Sequence, residues 1–152
     1  MRVYRISKCK YIKDLSGYGA FLQGGRWNSP NQYMIYASQS IALSLLEVLV
    51  HFQPQISPEE FCLLTLELPD NTIEMLSPKK LPEGWNRYAV YPATQSVGDS
   101  FLKENKKIAL KVPSSIIEQE SNILLNPNHP DFEQKVKIIS VQEIKIDKRL
   151  VE

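Results

Sequence analysis

The sequence predicts an α+β fold: one unit spanning 1–152, with a mixed or antiparallel sheet flanked by helices. Three observations predict it. Short runs with strand-like alternation outnumber helical ones, and their order lacks the regular β-α-β repeat of a doubly wound sheet. The 152 residues, 43% hydrophobic and 23% charged, have the make-up of one globular domain with enough chain to bury a core. No internal repeat or low-complexity tract divides them.

Val3-Tyr4-Arg5-Ile6 alternates as a strand. The segment from Ser16 to Asn31 holds four of the six glycines and reads as a long loop, of the kind that lets backbone approach a ligand. Met34-Ile35-Tyr36-Ala37 is a short apolar strand. Ser40 is a fitting N-cap for a helix from Ile41 to about Phe52, stopped before Pro54. Phe61 to Leu68 is a strand ended by Pro69-Asp70-Asn71, and the stretch through Pro78, Pro82 and Pro92 reads as irregular. A second helix is expected from about Thr94 to Asn105. Further strands are Ile108 to Val112, Asn122 to Leu125, Val136 to Ile139 and Val141 to Ile146. The Lys/Glu alternation from Glu133 to Arg149 suits a solvated sheet edge.

Eighteen Lys+Arg against 17 Asp+Glu leave a net charge of +1. That balance supplies no field for nucleic acid or an acidic membrane. No run reaches the ~18 apolar residues of a spanning helix, and the N-terminus lacks a signal-peptide core, so a cytoplasmic protein is expected. Cys9 and Cys62 stand far apart without zinc spacing, which sets aside a disulfide scaffold and a metal site. Gly17-Tyr18-Gly19 lacks the third glycine of a dinucleotide fingerprint and opens no convincing helix.

Charge is unevenly placed. From Trp27 to Pro58, 32 residues carry Glu47 as their one formal charge, where average composition would place about seven. The helix in this window is apolar nearly all round, the mark of a helix with little surface in water. Ser40, Ser44, Glu47 and His51 align as one narrow polar stripe. The stripe either meets solvent or lines a cleft. In a cleft, the Glu47 carboxylate needs a cation or hydrogen-bond donors, and the nearest charge upstream is Arg26. Arg26, Tyr36 and Glu47 then offer a guanidinium suited to phosphate oxygens, an aromatic face, and a carboxylate able to stabilise positive charge at C1′ of a breaking N-glycosidic bond.

The ordered pieces Gly24-Gly25-Arg26-Trp27-Asn28, Ile35-Tyr36-Ala37-Ser38 and Ala42 to His51, with Tyr4-Arg5-Ile6, Val112-Pro113-Ser114, Ser121 to Pro127 and His129-Pro130-Asp131-Phe132, resemble the RES domain family across about residues 1–145. Members are toxins of RES–Xre toxin–antitoxin pairs. The resemblance implies a fold like the ADP-ribosyltransferases and diphtheria toxin. It implies NAD+ as substrate rather than cofactor, cleaved at the nicotinamide–ribose bond with water or phosphate as acceptor, or alternatively used to ADP-ribosylate a protein. It implies an Xre-like helix-turn-helix antitoxin as partner, within a complex where the toxin can form a homo-oligomer.

Carried over residue by residue, Arg26, Tyr36 and Glu47 are the catalytic set, with the characteristic serine at Ser121. Arg26 would hold the pyrophosphate or nicotinamide ribose, Tyr36 the nicotinamide end, and Glu47 the oxocarbenium ion. Arg5, Trp27, Asn28, Ser121 and Asn122 are the substrate-binding candidates. Trp27 suits the core as well as stacking, Asn28 suits a turn, and Arg5 on its strand suits solvent as well as the cleft. His51 and His129 read as structural.

Overall fold

The computed structural model describes residues 1–55, 57, 60–89 and 92–152. The charge-poor window's end at Pro58 and the last part of the irregular stretch, Val90 and Tyr91, fall outside the described residues. The elements in chain order are β1 (Arg2–Lys8), α1 (Tyr18–Gln23), β2 (Ile35–Ser38), α2 (Ile41–Leu49), β3 (Phe61–Glu67), β4 (Ile73–Met75), α3 (Pro92–Glu104), β5 (Ala109–Pro113), β6 (Ser121–Leu125), α4 (Phe132–Lys135) and β7 (Lys137–Glu143). The strands form one mixed seven-stranded sheet in the order β4-β5-β6-β2-β1-β3-β7. The β4–β5 pair is parallel and the others are antiparallel. An α+β fold with a mixed sheet is what the sequence predicts.

The sheet has a seam at its centre. β1 and β2 are paired through Tyr4 and Ser38 alone, whereas β1–β3 and β2–β6 pair along their lengths. Strand alternation sends Val3, Ile35, Ala37, Leu64, Leu66, Ile123 and Leu125 to one face, where Ile12, Phe132 and Val136 cover them. The other face carries two separate clusters. On one side of the seam Leu110, Val112 and Leu124 meet Trp27, Met34 and Phe101. On the other, Ile6, Phe61 and Leu63 meet Leu45, Val48 and Leu49 of α2. Between the two clusters the seam bears polar groups.

Several expectations change. The glycine segment contains a short helix, α1, entered through Gly17 in the left-handed conformation (φ 75°) and followed by Gly24 at φ 70°. Phe21 of α1 stacks on Tyr33 at 4.3 Å, a tertiary support that the local pattern does not show. β4 and α4 lie in stretches read as irregular or as sheet edge, and the two C-terminal runs merge into β7, whose register shifts opposite Thr65/Leu66. β7 is an edge strand, as its charge alternation suggests. The second helix starts and ends within two residues of expectation, while α2 stops at Leu49, short of Phe52.

Two larger corrections concern α2 and the cysteines. Ala42 and Leu46, both exposed and one turn apart, show that the outer side of α2 is apolar and meets solvent, against the expectation of a helix with little exposed surface. Cys9 and Cys62 are disulfide-bonded, with Cα atoms 4.8 Å apart. The β1–β3 register sets Ser7 opposite Cys62 and so carries Cys9 to its partner across 53 positions. No spacing motif could have announced a pair made by strand register. Among the described residues no helix is long and apolar enough to cross a membrane and no group of His, Cys, Asp and Glu is arranged to hold a metal ion.

The cross-link closes a long loop, so its chain-entropy contribution is at most about 4 kcal/mol. Thermal unfolding followed by circular dichroism should show a lower midpoint for Cys62→Ser, or for the parent under reductant, with both preparations alike. An unchanged midpoint would mean that the bond does not form in solution.

Candidate active site

The seam gathers one polar cluster around Glu47. α2 begins at Ser40, whose Oγ accepts the Leu43 N–H at 3.1 Å and donates to Glu120 Oε2 at 3.0 Å. This start turns the polar stripe of α2 inward: Ser44 is buried and Glu47 half-buried, while His51, past the helix end, is exposed. Glu47 Oε1 accepts from Ser114 Oγ at 2.9 Å and from Asn122 Nδ2 at 2.6 Å. The carboxylate is thus met by donors rather than by Arg26, and among the described residues no ion pair joins the two.

Both donors are themselves aimed. Ser114, fully buried just beyond β5, accepts the N–H groups of Ile116 and Ile117 at 3.0 and 3.2 Å, which leaves its own proton for Glu47. Ser38 Oγ donates to Asn122 Oδ1 at 2.8 Å and so turns the amide nitrogen toward the carboxylate. Neither donor engages Glu47 Oε2.

The second cluster is built on Tyr36, two strand residues and about 7 Å along β2 from Ser38, on the same face. The Tyr36 hydroxyl accepts the Trp27 N–H at 3.0 Å and donates to Asn28 Oδ1 at 2.7 Å. Asn28, with no exposed surface, uses its Nδ2 on the carbonyls of Ala20, Ser29 and Gln32. The loop folds back on itself through a bond from Gly25 N–H to Asn28 O at 2.9 Å. A Cβ on Gly25 would stand 2.6 Å from the Tyr36 oxygen, so this glycine is what lets the loop wrap the phenol. Arg26 projects from this loop, half-buried, with Nη1 donating to Trp85 O at 2.8 Å.

Several candidates take different roles. Trp27, 2% exposed, packs with Met34, Phe101 and Leu110 and lies near Trp85 (6.3 Å between ring centres), so it is a core residue and not a stacking platform. Asn28 ties the loop together and has no surface for a ligand. Arg5 lies on the opposite face of β1 from Tyr4 and Ile6, which pack toward α2. Its charged neighbour is Asp14, and burial lowers its pKa, with Asp14 opposing that shift. It is not brought to Glu47. Ser121, next to Asn122, alternates to the far face and supplies its carbonyl to Gln39 N–H. The hydroxyl at Glu47 belongs to Ser114 instead. The Val112-Pro113-Ser114 match was the available signal, a strand stopped by proline with a hydroxyl immediately after. Ser38 likewise stood in a matched piece, Ile35-Tyr36-Ala37-Ser38, as the next residue on the Tyr36 side of β2. His129 caps a turn, Nδ1 accepting the Asp131 N–H at 3.1 Å.

Burial raises the Tyr36 phenol far above its ordinary value of 10.0, against the lowering effect of the Trp27 N–H. The folded protein therefore holds this proton more tightly than the unfolded chain does. Its contribution to stability is complete below pH ~10 and is lost as pH rises further. In an ultraviolet titration of the seven tyrosines, at least one should remain neutral until the protein unfolds in alkali. Complete ionisation near pH 10 with the fold intact would contradict the enclosed hydroxyl.

The family model described as RES domain matches residues 2–147. The chain is 36% identical over 152 residues to a protein named Toxin Res from Photorhabdus laumondii, covering 99% of this chain and 97% of that one. It is 38% identical over 154 residues to a Toxin Res from Pseudomonas putida, covering 99% of each. A Sphingobium protein named Prs ADP-ribosylating toxin is 36% identical over 141 residues, covering 91% of this chain and 87% of the relative. In fold, the chain is similar to one in the crystal structure of the M. tuberculosis MbcT–MbcA toxin–antitoxin complex, with TM-score 0.75 and 20% identity over 95% of this chain and 84% of that one. The ordered motifs, the family match and these relatives together place the chain in the RES domain family.

Proposed function

We propose that this chain is the toxin of a toxin–antitoxin pair and acts by cleaving NAD+ at the nicotinamide–ribose bond. The observation that carries the reading is the Glu47 carboxylate, held from one side by Ser114 and Asn122 on the same sheet face as the Tyr36-bound loop that presents Arg26. The Toxin Res names of relatives matched over nearly their whole length support the biological half of the proposal. The partner would be an antitoxin of the Xre-like helix-turn-helix class, with the pair acting in the cytoplasm.

The chemistry suits a site with one carboxylate. Nicotinamide in NAD+ is bound as a pyridinium. When the C1′–N bond breaks, its electron pair goes to the ring nitrogen and the leaving group departs neutral, so no general acid is required. Positive charge develops on the ribose, and a carboxylate fixed beforehand stabilises it without reorganising. Glu47 Oε2, which neither Ser114 nor Asn122 occupies, is the oxygen for that role or for a ribose hydroxyl. One Arg26 N–H is spent on Trp85 O, and the others serve pyrophosphate oxygens as a planar fork. The Tyr36 hydroxyl is already committed to the loop, so Tyr36 acts through its ring and through Arg26. Water then adds to C1′ and loses a proton, giving ADP-ribose, or phosphate adds in its place.

A second reading, transfer of ADP-ribose to a protein, is favoured by the relative named Prs ADP-ribosylating toxin. Nicotinamide release from NAD+ by the purified protein, in buffers with and without phosphate, tests the first reading. Label transfer from labelled NAD+ to protein in a lysate tests the second. Glu47→Gln keeps the shape and an acceptor for Ser114 and Asn122 but removes the charge. It should lower kcat by on the order of 10²–10³-fold with the melting midpoint retained. Turnover by this variant at the parent rate would remove Glu47 from the mechanism.

A further inference from the structure

The segment that carries Arg26 has no regular secondary structure from Gly24 to Ser29 beyond the Gly25–Asn28 bridge, yet it is gripped on two sides. On the sheet side the grip is the Tyr36 hydroxyl. On the other it is α3. Gln95 Nε2 donates to Gly25 O at 3.1 Å. Asp99 Oδ1 accepts the Ser29 N–H at 2.9 Å and Oδ2 accepts the Ser29 hydroxyl at 2.5 Å. Between them, Gly98 lies so close that a Cβ would stand 1.6 Å from Trp27 O. Positions 95, 98 and 99 share one face of a helix, and their partners Gly25, Trp27 and Ser29 bracket Arg26.

We propose that Gln95 and Asp99 are positioning residues for NAD+ binding: with Gly98 they form a clamp on α3 that sets where the Arg26 guanidinium stands, without touching the substrate themselves. The proposal rests on the assignment of Arg26 to NAD+ above. Gln95 and Asp99 make hydrogen bonds to the loop's own groups, so their work is done before a ligand arrives. A cavity of about 540 Å³, lined by Ser29, Gln32, Gln95, Ser96 and Asp99 among others, opens against the outer side of the clamp. Solvent can therefore reach a lost clamp bond, and a substitution at Gln95 or Asp99 loosens the loop and the enclosure of Trp27 and Trp85 beside it while the rest of the fold stays intact. Arg26 is asked to bind ground state and transition state alike. A displaced Arg26 therefore appears in KM more than in kcat.

The protein carries its own reporter, because its two tryptophans, Trp27 and Trp85, lie at this loop. Gly98→Ala invites misfolding through its backbone clash, so the test uses Gln95→Ala and Asp99→Ala. Steady-state nicotinamide release against NAD+ concentration is measured beside tryptophan emission and the melting midpoint. The expected result is a KM at least about fivefold above the parent with kcat within about twofold, together with a red-shifted emission, at a nearly parental midpoint. Parent KM in both variants overturns the proposal, whether or not the emission moves, and so does a fall in kcat at unchanged KM. Should the parent itself release no nicotinamide, the NAD+ reading fails separately. Emission and hydrogen exchange at residues 24–29 then decide the clamp alone: parental values in both variants overturn it, and a shift with faster exchange sustains it.

Discussion

A single phenol organises the candidate site. The Tyr36 hydroxyl accepts from the loop backbone at Trp27 and donates to Asn28, whose amide in turn holds three carbonyls of the surrounding chain. A buried hydroxyl is costly unless both donor and acceptor capacity are used, and here both are. Gly25 is compact because the phenol must pass. Trp27 enters the core because its N–H is tied down beside β2. The tyrosine at first sight offered a face for nicotinamide. In the fold its oxygen serves the loop, and the loop serves Arg26.

The sheet's seam supplies the other half. Where β1 and β2 share only the Tyr4–Ser38 pair, the two apolar clusters on the α2 side part, and small polar side chains take the space. Ser38 donates to Asn122, which donates to Glu47 Oε1, and Ser114 donates to the same oxygen from its own side. Each donor's direction is set by a further bond, so the carboxylate is fixed in place before any ligand arrives. α2 contributes the carboxylate because, from its Ser40 cap onward, the narrow polar stripe faces the sheet and Ala42 and Leu46 face outward.

Much of this was legible in the chain. The long strands and the two main helices follow from alternation, caps and prolines, because those signals are local. The charge-poor window located Glu47 and the Gly24-Gly25 pair located Arg26, since a lone acid and a close backbone approach both leave marks in composition. What stayed hidden depends on contacts distant in sequence. α1 is held by Phe21 on Tyr33 and β4 by its pairing with β5. The Cys9–Cys62 bond follows from the β1–β3 register. Asn28, Trp27 and Arg5 were residues of suitable chemistry whose direction only the packing decides: it gives Asn28 and Trp27 structural tasks and sets Arg5 on the face of β1 away from α2. Ser114 replaces Ser121 at the carboxylate for the same reason: strand alternation places Asn122, not Ser121, on the site's face.

The position of Arg26 depends on the bond between the Tyr36 hydroxyl and the loop that carries it. Backbone amide exchange at Trp27, measured in the parent and in Tyr36→Phe, tests it most directly. That amide should be strongly protected in the parent and lose its protection in the phenylalanine protein, with Ile35 and Ala37 of β2 protected in both. Equal protection of Trp27 in the two proteins would show that the loop is held by something other than the phenol, contrary to the Tyr36–Trp27 bond described above.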